Sequence, residues 1–519
     1  MLVRIVMLSE ESYSRGVFST TALNAVSQAL GFAGNLALAC WFGTRSDVDI
    51  YYYCVGMAFL ASTFFGNLNT SVLVPEAMRL ERQCSRDDAQ AFLNVFLFGY
   101  LAVGIVAMVP GMAAPVSVGR LLSRFQASLI ERHADIFSWA CVFFGLSNVA
   151  QYLSDILASR RYFALSVLLG IAPKLGLLAF LYGYRGSWGI RAAFLGTCVG
   201  LLVQICCAVF FLKARLGWRF QWNLSSVGAR VWKNIIFSQT GHLVGAAAGA
   251  VPLFLLSSFS EGTLSALGYG QRLAVLPALF VVQPVAGVLG IKLNELRPKE
   301  AWPEIDRIFR GVWHGLMMML VPISVFLVVY APEVVGLLYM RGNFDAASAR
   351  LTARFFRIFA ATIPFLASTA LTTRLFIAWQ KVRLSMMYQI ANRTVFVLFL
   401  LLGIRWFGAL GYPLSDLLTW AVYQFALLPA IWRHFSCVNY QAAVARAGRI
   451  AAFSVAGGTA ALACSRFCGN GNAWADLFTG SSICLLVWLA QMALFEDDRR
   501  LVAGWLRSMV RNSAPGAGG

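Results

Sequence analysis

The sequence predicts an all-α, polytopic membrane protein of about fourteen transmembrane helices, and three observations predict it. Hydrophobic residues make up 59% of the chain and charged residues only 13%, with a mean hydropathy of +0.69, whereas soluble domains sit near 25% charged. The apolar residues fall in runs of about 20, the length that crosses a bilayer as a helix. The loops between the runs alternate in basic content, which is the imprint of a chain threaded back and forth through a membrane.

In chain order the spans are 17–42, 48–74, 91–114, 134–158, 162–183, 190–212, 234–258, 263–290, 309–331, 353–377, 384–404, 409–432, 448–467 and 475–495. Assigning the N-terminus and every second loop to one side gathers most of the Lys and Arg there, above all in 213–233 and 292–310. The positive-inside rule then places both termini in the cytoplasm. The first fifteen residues carry too short an apolar run and too many acids for a signal peptide, so the first span is expected to be an uncleaved membrane helix.

The first span repeats Asn24, Ser27, Gln28, Gly31, Gly34 and Asn35 at helical spacing, a face suited to close packing or to a polar cavity wall. Asp49 opens the second span beside Tyr51, Tyr52 and Tyr53. A carboxylate there caps a helix or lines the cavity mouth. In the fifth span Lys174 is an intramembrane cation with no evident partner in the sequence. His242 and His314 read as packed histidines. Arg393, beside Asn392, and Asp416 are placed to form an ion pair or a coupling-ion site.

The eighth span, 263–290, has a single ionised side chain, Arg272, between Gly268, Gly270, Pro277 and Pro284. An arginine at that depth costs about 2.5–3.5 kcal/mol on the insertion scale, so it needs a water-filled cavity, a partner or an anionic ligand. The glycines and prolines predict a kinked helix closely approached by its neighbours. The competing reading is an arginine that snorkels to the interface.

The formal charge of +19 is spread between apolar spans rather than gathered in one domain. It therefore reads as topology signal and contact with anionic lipid, not as a nucleic-acid surface. Eleven cysteines include no CxxC pair, and Cys206–Cys207 and Cys464/Cys468 lie in apolar runs, so small core residues are expected rather than a metal site. No cofactor is implied. The tail after Arg499 sets Leu501, Val502, Trp505, Leu506 and Met509 opposite arginines, the pattern of an interfacial helix.

An internal repeat relates the two halves. Residues 42–80 lie over 259–296 with Tyr52 on Tyr269 and Val55 on Arg272, and the six-span spacing supports two related halves with a midplane site between them.

The external segment Leu338-Tyr339-Met340-Arg341-Gly342-Asn343-Phe344, followed by Thr352, closely resembles the L-F-x-R-G-x-F…T signature of MurJ/MviN-type lipid II flippases. These belong to the multidrug/oligosaccharidyl-lipid/polysaccharide exporter superfamily. Leu30-Gly31-Phe32-Ala33, Phe42-Gly43 and Asp49 are similar to the family's first two helices. Tyr269, Arg272, Leu273 and Pro277 resemble its Y-A-D-R-L…P helix, and Phe376 to Gln380 its F-Y-x-R-Q. The resemblance spans nearly the whole chain.

It implies two pseudo-symmetric six-helix lobes, 17–212 and 234–432, forming a V around a hydrated cavity and joined by a cytoplasmic linker at 213–233. It further implies a lipid-tail groove from spans thirteen and fourteen (433–495), with cytoplasmic segments 1–16 and 496–519. The implied activity is translocation of a polyprenyl-diphosphate-linked saccharide by alternating access, without covalent chemistry. Membrane lipids and the cell-envelope glycan machinery are the implied partners. Arg272 would grip the diphosphate through its guanidinium fork, with Asp49, Lys174, Gln28 and Gln271 as further substrate-binding candidates. Where the family places arginines in the first two helices, this chain has Gln28, Gly34 and Ser62, and Gln271 replaces the acid before Arg272. These departures keep two alternatives open: export of another lipid-linked glycan, or a scaffold with the same fold. A cationic-drug pump would want a midplane carboxylate, and a membrane glycosyltransferase would want large catalytic loops.

Overall fold

Backbone polar groups inside a bilayer must be satisfied within the segment, and a helix does this at every residue. The computed structural model, which describes residues 13–221, 228–468 and 473–499, is helical throughout, with no strand among the described residues. Thirteen segments among them are long and apolar enough to cross a membrane, and one, Arg383–Ile431, folds as two helices joined at Gly408–Leu410. The fourteen spanning helices are α1 (Tyr13–Phe42), α2 (Ser46–Gln83), α3 (Arg86–Ala113), α4 (Ala134–Ser159), α5 (Phe163–Trp188), α6 (Arg191–Leu216), α7 (Ala229–Leu256), α8 (Thr263–Lys299), α9 (Trp302–Val329), α10 (Ala346–Ala378), α11 (Val382–Phe407), α12 (Gly411–His434), α13 (Tyr440–Cys468) and α14 (Ala473–Leu494). The expected tail helix lies outside the described residues.

Helices α2 and α8 run well past their expected ends, to Gln83 and Lys299. In each, a π-helical segment, Asn69–Leu73 in α2 and Ala278–Val282 in α8, ends two residues before a proline, Pro75 and Pro284 respectively. The amide of Val74 reaches back to the Asn69 carbonyl, and that of Gln283 to the Ala278 carbonyl. A proline cannot donate to the carbonyl four residues earlier and its ring collides with it; the wider π turn absorbs the mismatch, so the helix continues instead of breaking. The shared device relates α2 to α8 at an offset of 209 residues, where the sequence repeat sets Tyr52 on Tyr269 at an offset of 217.

The helices pack as two compact units. The first runs to Gly268 and takes in Arg341–Ser348; the second holds Tyr269–Met340 and the chain from Ala349 onward. In the first, α3 meets α4 at Gly104 and Gly145, where an added Cβ would lie 3.2 Å from the opposite backbone. Gly176 of α5 faces Gly196 of α6 more tightly still, with 2.2 Å from a built Cβ to the Gly196 carbonyl. Small residues allow this backbone approach where lipid supplies no hydrophobic drive between helices. Helix α7, the first span after the expected linker, packs on α2 within this unit. Leu253 sits over Gly56 and Leu60 over Gly249.

Around the buried aromatics Phe92, Tyr100, Tyr152 and Phe211 lies the core of the first unit. In the second unit α9 and α13 share the ring cluster of Phe309, Trp313 and Tyr440. Helix α14 leaves Phe478, Leu485, Leu486 and Leu494 uncovered, the surface expected of a helix facing lipid tails.

Candidate functional site

The signature segment that carries the resemblance proves to be a clasp. Gly342 adopts φ +60°, and a Cβ there would stand 2.2 Å from the Cys40 carbonyl. Only glycine fits so close an approach at positive φ. The turn then lets the Asn343 amide bond the Cys40 carbonyl (2.8 Å) and its side-chain Nδ2 the Trp41 carbonyl (2.5 Å). Thr44 and Ser348 hydroxyls meet at 2.6 Å, and Phe344 is buried. The segment thus satisfies the open carbonyls at the end of α1.

Asp49 is buried at the start of α2, and both its oxygens are occupied by the first turn of α8. The Gly262 and Ser265 amides donate to it at 2.7 Å each. A carboxylate at a helix N-terminus meets free N–H groups and the positive end of the dipole. The residue caps a helix, as one of the two sequence readings held, but the helix is a distant one rather than its own. Glu261 completes the corner: the amide and hydroxyl of Ser46 each donate to its Oε1 at 2.7 Å, and these bonds hold its carboxyl below the usual range.

Lys174 has a partner that the sequence did not reveal. Its ammonium donates to the Ser27 carbonyl (2.9 Å) and hydroxyl (2.6 Å), and its stem lies across Gly31. It therefore stands beside Gln28, which is half-buried on α1. On the same helix Asn35 bonds the Gly31 carbonyl and receives the Tyr52 hydroxyl at 2.9 Å. Of the other two positions where the resemblance places arginines, Gly34 is filled by Leu177, and Ser62 bonds Ser147 at 3.1 Å.

In the second unit, Arg272 projects from α8 with an exposed side chain and makes no ion pair among the described residues. Gly270, two residues earlier, presses against the backbone of Thr352 and Phe356 on α10. Burial raises the pKa of the Tyr339 hydroxyl, at the end of the short helix Ala331–Tyr339, and the Arg272 charge opposes that shift.

Gln271 shares a hydrogen bond with Tyr412 of α12, and Tyr412 lies within electrostatic reach of Asp416 and Arg393. Asp416 in turn is bonded by Trp420 and faces Arg393. So α8, α11 and α12 bring Gln271, Tyr412, Asp416 and the exposed Arg393 into one polar cluster, with Arg272 adjoining it in sequence. Arg393 in this cluster and Arg272 on α8 both expose guanidiniums, a group that suits a phosphate-bearing ligand. Arg393 and Asp416, placed by the sequence to form an ion pair or a coupling-ion site, here face one another across α11 and α12. The sequence reading does not single out Asp155 of α4, whose signal is an acid between apolar residues well inside the helix.

A family model described as "Lipid II flippase MurJ" matches residues 38–482. The chain is similar to a probable lipid II flippase MurJ of Borreliella burgdorferi, with 18% identity over 417 residues covering 78% of this chain and 81% of the relative. It is similar also to one of Bdellovibrio bacteriovorus, with 21% identity covering 81% and 82%. Among solved structures, a lipid II flippase MurJ in an inward closed conformation superposes with a TM-score of 0.77 at 15% identity, covering 92% of this chain and 99% of that one. An inward-facing multidrug resistance MATE family transporter of the MOP superfamily gives 0.61 at 14%, covering 82% and 95%.

Proposed function

Since the chain belongs to the lipid II flippase MurJ family, and so is a multi-pass transporter of the bacterial inner membrane rather than an enzyme, we propose that it carries a polyprenyl-diphosphate-linked saccharide from the cytoplasmic to the periplasmic leaflet by alternating access. The observation that carries the substrate class is the pair of exposed arginines in the second unit. Arg272 is exposed and makes no ion pair among the described residues, and Arg393 is exposed in the cluster around Tyr412 and Asp416. A diphosphate offers oxygens to both forks. Lys174 and Gln28 are the proposed contacts from the first unit, and the uncovered apolar surface of α14, with α13, is the proposed track for the polyprenyl tail.

One observation favours a lipid-linked glycan other than the peptidoglycan precursor. The positions matching the family's arginines in the first two helices hold Gln28, Gly34 and Ser62, so the first unit offers fewer cations. Asp49 enters this proposal as the residue that holds the start of α8, and thereby Arg272, rather than as a direct ligand.

Binding of purified protein to one saccharide on a polyprenyl diphosphate and on the monophosphate tests the reading. The diphosphate should bind more tightly, because each charge-assisted bond adds about 1.5–3 kcal/mol. Equal affinity for the two would remove the diphosphate as the recognised group.

A further inference from the structure

The first unit holds an intramembrane carboxylate that the transport reading leaves unused. Asp155 lies in the last turns of α4, level with the first turns of α3, because Gly145 faces Gly104 and the Tyr152 hydroxyl reaches the Leu93 carbonyl. It therefore sits toward one end of these spanning helices rather than at their centre. No Lys, Arg or His pairs with it among the described residues. Two neutral amides hold it instead: Asn69 Nδ2 donates to Oδ2 at 2.7 Å and Gln151 Nε2 to Oδ1 at 2.9 Å. Asp155 is half-buried and Gln151, one turn away, is exposed, so the site is open to protons. An acid within a spanning helix that no described cation pairs calls for a functional account.

The bonds beyond Asn69 supply one. Asn69 is almost fully buried, and its Oδ1 accepts the Tyr100 hydroxyl at 2.5 Å. The same hydroxyl lies 3.0 Å from the Phe65 carbonyl. A phenol has one proton to give, so it serves one acceptor at a time. With Asp155 ionised, the chain runs one way: Tyr100 donates to Asn69, and Asn69 donates to Asp155.

A protonated Asp155 must itself donate from Oδ2, while Oδ1 still accepts from Gln151. The Asn69 amide then turns its oxygen to Asp155 and its nitrogen to the Tyr100 oxygen, and the Tyr100 proton moves to the Phe65 carbonyl. That carbonyl already shares the Asn69 backbone N–H with Gly66, at the point where α2 passes into its π segment. One proton at Asp155 thus changes the bonding at the entry to the bend.

We propose that Asp155 is a proton-binding site and that Asn69 and Tyr100 transmit its charge state to the π segment of α2. The groups around it leave the assignment to this carboxyl. The phenols of Tyr100 on α3 and Tyr152 on α4 are engaged by Asn69 and by the Leu93 carbonyl. From α6 comes the neutral Gln204, bonded to Ser154 at 3.0 Å. Arg160, at the end of α4, is engaged by Glu81 of α2. Two discrete bonding arrangements biased by one proton are what a coupling element requires. The inference concerns the response to protons and stands whichever saccharide is carried.

Full-length protein in lipid nanodiscs, with accessible native cysteines replaced, provides the test. An infrared difference spectrum between acidic and alkaline buffer should show a protonated carboxyl band that Asp155→Asn abolishes and Asp155→Glu shifts. Thr70→Cys, exposed on the π segment, should label several-fold differently in the two buffers. Asp155→Asn should hold labelling at its acidic rate in both. Asn69→Leu should keep the carboxyl band and lose the labelling response. A band that survives Asp155→Asn overturns the site. A labelling response unchanged by Asn69→Leu overturns the transmission.

Discussion

At the scale of single residues, Arg272 and Asp49 separate a ligand-binding role from a structural one. Arg272 has no acid partner among the described residues to strand, so Arg272→Ala should leave thermal stability within about 0.5 kcal/mol of the parent, as surface substitutions usually do. It should weaken binding of the lipid diphosphate ~10-fold or more, the worth of a charge-assisted bond. Arg272→Lys keeps the charge without the planar fork and should fall between. Calorimetry and binding on the same preparations check both halves; a destabilised alanine variant would point to a structural arginine. Asp49→Ala should do the reverse and cost about 1–2 kcal/mol, the range for removing a helix cap, seen as a lower melting temperature. Arg272 was legible in the sequence because an isolated charge in an apolar run needs a reason. The service Asp49 gives was not, since its acceptors' partners at Gly262 and Ser265 lie 213 and 216 residues away.

At the scale of elements, helix ends and crossings carry the specific interactions. The end of α14 is tied down by Asp498, which is fully buried and contacted by His314 of α9 at 2.8 Å, Arg449 of α13 at 2.9 Å and Gln491 of α14 itself at 2.9 Å. The Arg449 guanidinium also stacks 3.8 Å over the Phe495 ring. Arg449→Ala would leave a buried carboxylate short of its cation and should cost about 3–5 kcal/mol. Thermal unfolding in detergent would show this, and an unchanged midpoint would mean that His314 alone neutralises Asp498. His314, which reads from sequence as a packed histidine, is buried as expected but faces a carboxylate. Hydropathy located every span. It could not locate the π segments, because the proline signal normally marks a helix end and only packing shows the helix carrying on.

At the scale of the whole molecule, basic-loop asymmetry and the family together describe a multi-pass inner-membrane transporter with its termini expected in the cytoplasm. Two exposed residues at helix ends test that orientation. With accessible cysteines removed, Ala347→Cys should react with a membrane-impermeant thiol reagent in intact cells, and Lys299→Cys should react only after permeabilisation. The reverse pattern would invert the topology and with it the proposed direction of transport.

What the sequence determined by itself is whatever depends on solvent preference along the chain. Fourteen apolar runs had to become helices, because a bilayer leaves no other way to satisfy the backbone, and the R-G-N-F segment carried the family. The tertiary structure decided which polar groups face one another. Lys174 found Ser27, Gln271 found Tyr412, Asp49 found the start of α8, and Asp155 joined Asn69 at the π segment. Burial follows from each residue's own transfer energy, but a hydrogen bond needs two groups within about 3 Å, and helices far apart in the chain meet at that precision only through packing.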